Sequence, residues 1–275
     1  MPHFSAMIKA FFLSLVATLS LSLQAAPAKS LDDMVTVSVL PGWTMADGSH
    51  VAALKFVLKD GWKTYWRAPG EAGIPPHFNW SGSRNVAGVT VEWPTPVQTV
   101  TNGMRTIGYR HSLVLPIRLT PAKAGQPIHL AAELEIGVCS DICVPVTLSI
   151  AQDLPRGVTR PDPQIAAALA SRPYTAKEAR VGRVVCRVTP VKGGLHVVAE
   201  VDMEQMGKSE LAVLETDNPD LWVAQAVTSR NGNRLRAETE IFHAEGHSFA
   251  LNRSGLRITI LSSGDAVDIR GCPAG

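Results

Sequence analysis

From Met34 onward the chain alternates apolar and polar residues over short runs bounded by Gly, Pro, Asn and Asp. The runs Val35–Val39, His50–Leu58, Val86–Val91, Leu113–Leu119, Ile128–Ile136 and Val146–Ile150 keep this two-residue period. Such a period turns one face of each run toward a core, and it predicts strands of an antiparallel sandwich. The stretch Trp66–Pro76, rich in Pro and Gly, reads as a long loop between strands. The pattern lapses at Asp153–Pro163, DLPRGVTRPDP, which holds three prolines in eleven residues. A domain boundary is expected there. One helix is predicted directly after it: Asp162 caps Pro163–Ala170, proline opens the first turn, and Pro173 ends the run. Alternation then returns in Arg183–Val191, Leu195–Val201, Glu210–Leu214, Trp222–Val227, Arg234–Phe242, Leu256–Leu261 and Ala266–Arg270, with Asn231-Gly232-Asn233 as a hairpin turn. The fold class is therefore all-β: two tandem sandwich domains, residues 29–153 and 181–275, joined by a Pro-rich linker with a short helix at residues 154–180.

The N-terminus departs from this pattern. Lys9 precedes an apolar run, Ala10–Leu23, and small residues follow at Ala25-Ala26-Pro27-Ala28. This is the layout of a secretory signal peptide over residues 1–28. Its run of 14 residues falls short of the ~20 that a spanning helix needs, so no stable membrane insertion is expected. Removing the segment takes one base from 26 and leaves 25 against 24 acids. A near-neutral chain offers no charge excess for a phosphate backbone, so nucleic acid is not an expected partner. Export places the chain in an oxidising compartment where disulfides persist.

That compartment makes the four cysteines the most informative residues. Cys139 and Cys143 flank Ser140-Asp141-Ile142, directly after a strand-like run. If those three residues form a hairpin loop, the cysteines face one another on adjacent strands at a bridgeable separation. So short a loop closes at little entropic cost, and a bridge across it stabilises little. Reversible exchange explains the pair better than stability does. Asp141, if near the sulfurs, disfavours thiolate and makes the pair a passive relay through mixed disulfides. A static hairpin staple and a Cu(I) dithiolate remain alternatives; a four-ligand zinc site does not, because no neighbouring Cys or His completes it. Cys186 and Cys272 lie 86 positions apart, near the two ends of the second domain. A bridge between them closes nearly the whole domain and reads as structural.

Other signals carry less. His243 and His247 have helical spacing but straddle Gly246 between two predicted strands, which argues against a metal site. No nucleophile elbow, phosphate loop or dinucleotide fingerprint occurs, and no metal or organic cofactor is expected beyond a redox disulfide. Five of six tryptophans, at 43, 62, 66, 80 and 93, fall in the first half. Trp62 and Trp93 fit a sandwich core, whereas Tyr65, Trp66 and Tyr109 are candidates for lining the cysteine site.

Several motifs in the first half carry a family resemblance. Gly61-Trp62-Lys63-Thr64-Tyr65-Trp66-Arg67, Gly70-Glu71-Ala72-Gly73-Ile74-Pro75-Pro76, Gly108-Tyr109-Arg110 and Gly137-Val138-Cys139-Ser140-Asp141-Ile142-Cys143-Val144-Pro145 together resemble the N-terminal periplasmic domain of the DsbD family of thiol-disulfide interchange proteins, in its ScsB-like, copper-tolerance variant. The resemblance covers residues 34–152. It implies an immunoglobulin-like sandwich, a periplasmic location, and a protein-disulfide reductase type of oxidoreductase. In such a protein Cys139 and Cys143 pass electrons from a thioredoxin-like protein or a separate membrane electron-transfer protein to periplasmic acceptors. In the family an aromatic loop caps the disulfide; the matching stretch here, Gln98–Gly103, has no aromatic residue. The family's multi-span electron-transfer domain has no counterpart in this sequence, so a separate membrane protein is the expected electron source. The alternative function is a non-catalytic periplasmic module for copper handling or cytochrome c assembly, with a structural or Cu(I)-binding cysteine pair.

Overall fold

A computed structural model describes residues 30–101 and 103–275; the expected signal peptide over residues 1–28 lies outside the described residues. The described residues of the first half fold into ten strands: β1 (Val35–Thr44), β2 (His50–Leu58), β3 (Lys63–Gly70), β4 (His77–Asn79), β5 (Val86–Val91), β6 (Val97–Thr101), β7 (Met104–Arg110), β8 (Ser112–Pro121), β9 (His129–Cys139) and β10 (Cys143–Asp153). They form an immunoglobulin-like sandwich of two antiparallel sheets, ordered β1-β2-β8-β5 and β10-β9-β3-β7-β6, with β4 also pairing β9. The alternation read from the sequence sets the facing. Leu54, Phe56, Leu115 and Ile117 from one sheet share a core with Trp66, Ile107, Leu134 and Ile136 from the other. Each such side chain contributes roughly 1.5–3 kcal/mol through burial.

Part of the expected loop Trp66–Pro76 is strand. β3 runs to Gly70, and the irregular segment begins only at Glu71. Pro69 is tolerated because the β3–β7 register shifts between Tyr65 and Gly70, where ladder bonds are interrupted. The expected linker is also less free than its prolines imply. Helix α1 (Pro163–Ala170) is capped by the Asp162 carboxylate, which accepts from the backbone N–H of Gln164 and Ile165. Ile165 is fully buried against Trp43, Val51 and Ala53, on the outer side of the sheet that contains β1 and β2. The helix is thus packed on the first sandwich.

The second half supplies β11 (Tyr174–Thr175), β12 (Val184–Val191), β13 (Gly194–Asp202), β14 (Leu211–Glu215), β15 (Leu221–Val223), β16 (Val227–Asn231), β17 (Arg234–His243), β18 (Arg257–Leu261) and β19 (Ala266–Arg270). Its sheets are ordered β11-β19-β18-β14 and β12-β13-β17-β15, with β16 also on β17. The single strand expected over Trp222–Val227 is divided between β15 and β16. Val223 faces Ile241 and Val227 faces Glu238, so four steps on one strand oppose three on the other, and the surplus residue breaks the ladder. The two sandwiches are in contact: Leu211, Leu261 and Ala266 of the second join the core cluster of the first.

Candidate functional site

β9 and β10 form a hairpin in which Cys139 and Cys143 are register partners, closed by Ser140, Asp141 and Ile142. The Ser140 N–H donates to the Ile142 carbonyl at 3.1 Å, which tightens the turn. The two Cα atoms are 4.0 Å apart and the sulfurs are bridged. Their exposures differ: Cys139 is 5% exposed, whereas Cys143, on the edge strand, is exposed. Ile142 beside it is 66% exposed, so the bridge joins a buried cysteine to an exposed one at the end of the hairpin.

Strand alternation brings β3 onto the same face. Lys63 is the register partner of Cys139 on one side and of Arg110 on the other, so the three residues share one face of the sheet. The Lys63 ammonium donates to Thr106 Oγ1 at 3.0 Å; burial, and then Arg110, hold its pKa below the usual lysine value. Two residues on, Tyr65 points to the same face. Its hydroxyl lies 3.1 Å from Cys143 Sγ and is the donor, since a bridged sulfur carries no hydrogen. Burial pushes the Tyr65 pKa up, which favours the protonated phenol that can donate.

Gly137 makes this approach possible. A Cβ there would lie 2.7 Å from the Tyr65 ring and 2.6 Å from Ile74 Cβ. The ring is therefore held between β9 and the segment following β3. Glu71 anchors that segment, exchanging two backbone-directed hydrogen bonds with Arg105 at 3.1 Å each. Neither Gly137 nor Ile74 is among the sequence-derived candidates. A glycine inside the strand pattern of β9 is nevertheless the usual mark of close approach.

Two expected lining residues lie elsewhere. Trp66 is 0% exposed and faces the sandwich core, because it neighbours Tyr65 and so takes the opposite side of the strand. Tyr109 is also in the core; its hydroxyl donates to the Pro94 carbonyl at 2.7 Å, and burial pushes its pKa well up. Asp141 is exposed in the hairpin turn. Cys186 and Cys272 are bridged within the second core, with Cα atoms 5.5 Å apart and each residue 1% exposed. His243 and His247 have ring centroids 4.9 Å apart. Among the described residues no three His, Cys, Asp or Glu side chains are placed to hold a metal ion, and no helix is long and apolar enough to cross a membrane.

An immunoglobulin-like sandwich that displays a bridged cysteine pair on an edge hairpin, with a tyrosine hydroxyl on the outer sulfur, is built for thiol-disulfide interchange. Residues 35–155 match the family model described as "Thiol:disulfide interchange protein DsbD, N-terminal", and this segment is a DsbD-family N-terminal domain. Among solved structures, the N-terminal periplasmic domain of ScsB from Proteus mirabilis aligns over 90% of this chain and 97% of its own at 22% identity and a TM-score of 0.67. That likeness extends the shared fold across both sandwiches. The reduced DsbD N-terminal domain of Neisseria meningitidis is 19% identical over 46% of this chain and 90% of its own, with a TM-score of 0.26. A protein of unknown function from Porphyromonas gingivalis W83 is 14% identical over 86% of this chain and 99% of its own, with a TM-score of 0.24. No curated protein matches the chain.

Proposed function

We propose that the protein is a periplasmic electron relay whose Cys139–Cys143 bridge exchanges with the dithiol of a thioredoxin-like or membrane-borne reductant and passes electrons on to periplasmic acceptors. The observation that carries this reading is the asymmetry of the bridge: Cys143 is exposed and Cys139 is not. A partner thiolate reaches Cys143 Sγ. A new bond forms between the partner sulfur and Cys143 while the Cys139–Cys143 bond breaks, and Cys139 leaves as a thiolate. A second partner thiolate then attacks the mixed disulfide at its own sulfur and releases Cys143. Two electrons have moved into the pair and the partner has become a disulfide; protons from solvent neutralise the thiolates. The same steps in reverse, with exposed Cys143 attacking an acceptor disulfide, discharge the pair.

Trapping tests this assignment. A Cys139→Ala protein, which keeps the exposed sulfur, is expected to form a stable mixed disulfide with a thioredoxin-like reductant lacking its resolving cysteine, whereas Cys143→Ala is not. Equilibration of the unaltered chain in glutathione buffers supplies the second measurement. A Cys139–Cys143 bridge that stays closed below about −300 mV marks a structural staple and ends the relay reading.

A further inference from the structure

Three consecutive residues of β3 have three different attachments. Tyr65 donates to Cys143 Sγ. Trp66 is sealed in the first core. Arg67 leaves the first sandwich: its Nε and Nη2 donate to the two carboxylate oxygens of Glu215 at 3.0 Å each, and Nη2 also donates to Thr259 Oγ1 at 3.0 Å. The guanidinium lies 3.8 Å from the centroid of the Trp66 ring, a cation–π contact that joins the last two attachments.

The ladder lapses directly after Tyr65. Register pairs between β3 and β9 end at Thr64, and those between β3 and β7 end at Tyr65 and resume only at Gly70. Residues 66–69 have no register partners, and the side chains of Trp66 and Arg67 supply attachments there. The second sandwich provides a firm receptor for one of them. Glu215 faces Arg257 across β14 and β18, Arg257 forks onto Asp268 of β19, and Thr259 lies between them. Leu211, Leu261 and Ala266 close the apolar part of the same contact.

We infer that Arg67 is a positioning residue for the Cys139–Cys143 bridge: by gripping Glu215 and Thr259 it fixes the unpaired stretch of β3 and keeps the Tyr65 hydroxyl on Cys143 Sγ. The second sandwich thus acts on the exchange chemistry as a brace, without touching the sulfurs. This inference rests on the exchange reading above. A hydroxyl that donates to sulfur stabilises the reduced, thiolate-bearing pair more than the neutral bridge, so releasing it makes the bridge harder to reduce.

The test uses the full chain and its glutathione equilibrium, read by alkylation of Cys139 and Cys143. Tyr65→Phe is expected to make the bridge roughly three- to tenfold harder to reduce, the loss of one hydrogen bond. Glu215→Gln, and the paired change Arg67→Met with Glu215→Met that leaves no stranded charge, are expected to shift it in the same direction. Adding Tyr65→Phe to the paired change is expected to move it no further, because both act through one contact. NMR of ¹³C-labelled tyrosine reads the Tyr65 position directly and is expected to show its resonance displaced in the Glu215→Gln protein. The inference is overturned if a variant that keeps Cys186–Cys272 bridged and a native circular dichroism spectrum leaves the equilibrium within about twofold of the unaltered protein, or adds in full to Tyr65→Phe. Should the unaltered bridge fail to open in glutathione, the exchange reading falls, and an unmoved Tyr65 resonance overturns the brace independently.

Discussion

Cys139–Cys143 and Cys186–Cys272 are chemically the same bond in opposite settings. The first links residues four apart at the rim of a sheet, with one cysteine open to solvent. The second links residues 86 apart and is buried at both ends. In the chain-entropy model the long loop contributes roughly 4–5 kcal/mol and the short one only about 2 kcal/mol before native strain. The surroundings follow the same division. Backbone groups close over the buried bridge: the Cys186 N–H donates to the Pro273 carbonyl, the Cys272 N–H to the Arg253 carbonyl, and the Arg253 guanidinium to the Cys186 carbonyl. The outer bridge has a tyrosine hydroxyl, a group that acts on sulfur charge. A disulfide that constrains the chain little, and that a partner can reach, is explained by its chemistry rather than by its stabilising effect.

The largest expected effect tests that contrast directly. Replacing Cys186 and Cys272 by alanine should lower the unfolding free energy of the second sandwich by roughly 4–5 kcal/mol, against about 2 kcal/mol or less in the first for the Cys139→Ala/Cys143→Ala protein. Amide hydrogen exchange in urea separates the two, because β13 and β17 report the second sandwich and β2 and β8 the first. Equal losses would dissolve the distinction.

A smaller effect sharpens it at the outer bridge. Gly137→Ala places a Cβ under 3 Å from both the Tyr65 ring and Ile74. It is expected to destabilise the first sandwich by about 1–3 kcal/mol and to alter the reduction rate of Cys139–Cys143 while leaving Cys186–Cys272 closed. Stopped-flow reduction by a dithiol provides the measurement, and an unchanged rate would remove Tyr65 from the account of the outer bridge.

The smallest effect is acid sensitivity on the buried side. Burial alone would raise the Asp268 pKa, but the Arg257 hydrogen bonds, with Arg257, Arg270 and Arg67 nearby, bring it below its ordinary 3.8. A carboxyl lowered by folding contributes stability that is complete above its unfolded value and is lost as pH falls through the lower folded value. Unfolding of the second sandwich followed by amide hydrogen exchange in β13 and β17 should therefore become easier below about pH 4, and Asp268→Asn should flatten that part of the profile. A profile unchanged by Asp268→Asn would separate this network from acid stability.

Much of this molecule is legible in its residue pattern, for identifiable reasons. The two-residue period names most strands because one face of each is buried. Asp162, Pro163 and Pro173 bound the helix because capping and proline act locally. The hairpin facing of Cys139 and Cys143 follows from the three residues between them. Less legible is β3, whose proline and glycine resemble a loop and whose strand character depends on β7 and β9 beside it. The split of β15 from β16 depends likewise on β17. Trp66, beside the Pro- and Gly-rich stretch, and Tyr109 read as site-lining candidates; strand alternation turns both inward.

The sequence by itself determined the two sandwiches, the short-loop and long-loop cysteine pairs, and the resemblance to a thiol-disulfide interchange family. These rest on periodicity, spacing and local caps, which act between near neighbours. Only the tertiary structure decided which cysteine is exposed, that Tyr65 reaches Cys143 across Gly137, and that Arg67 carries the second sandwich against β3. Those contacts join residues between 72 and 192 positions apart: Tyr65 to Gly137, Tyr65 to Cys143, and Arg67 to Glu215 and Thr259. No local period encodes such distances; they arise when the sheets pack and the alternation of each strand selects which side chains share a face.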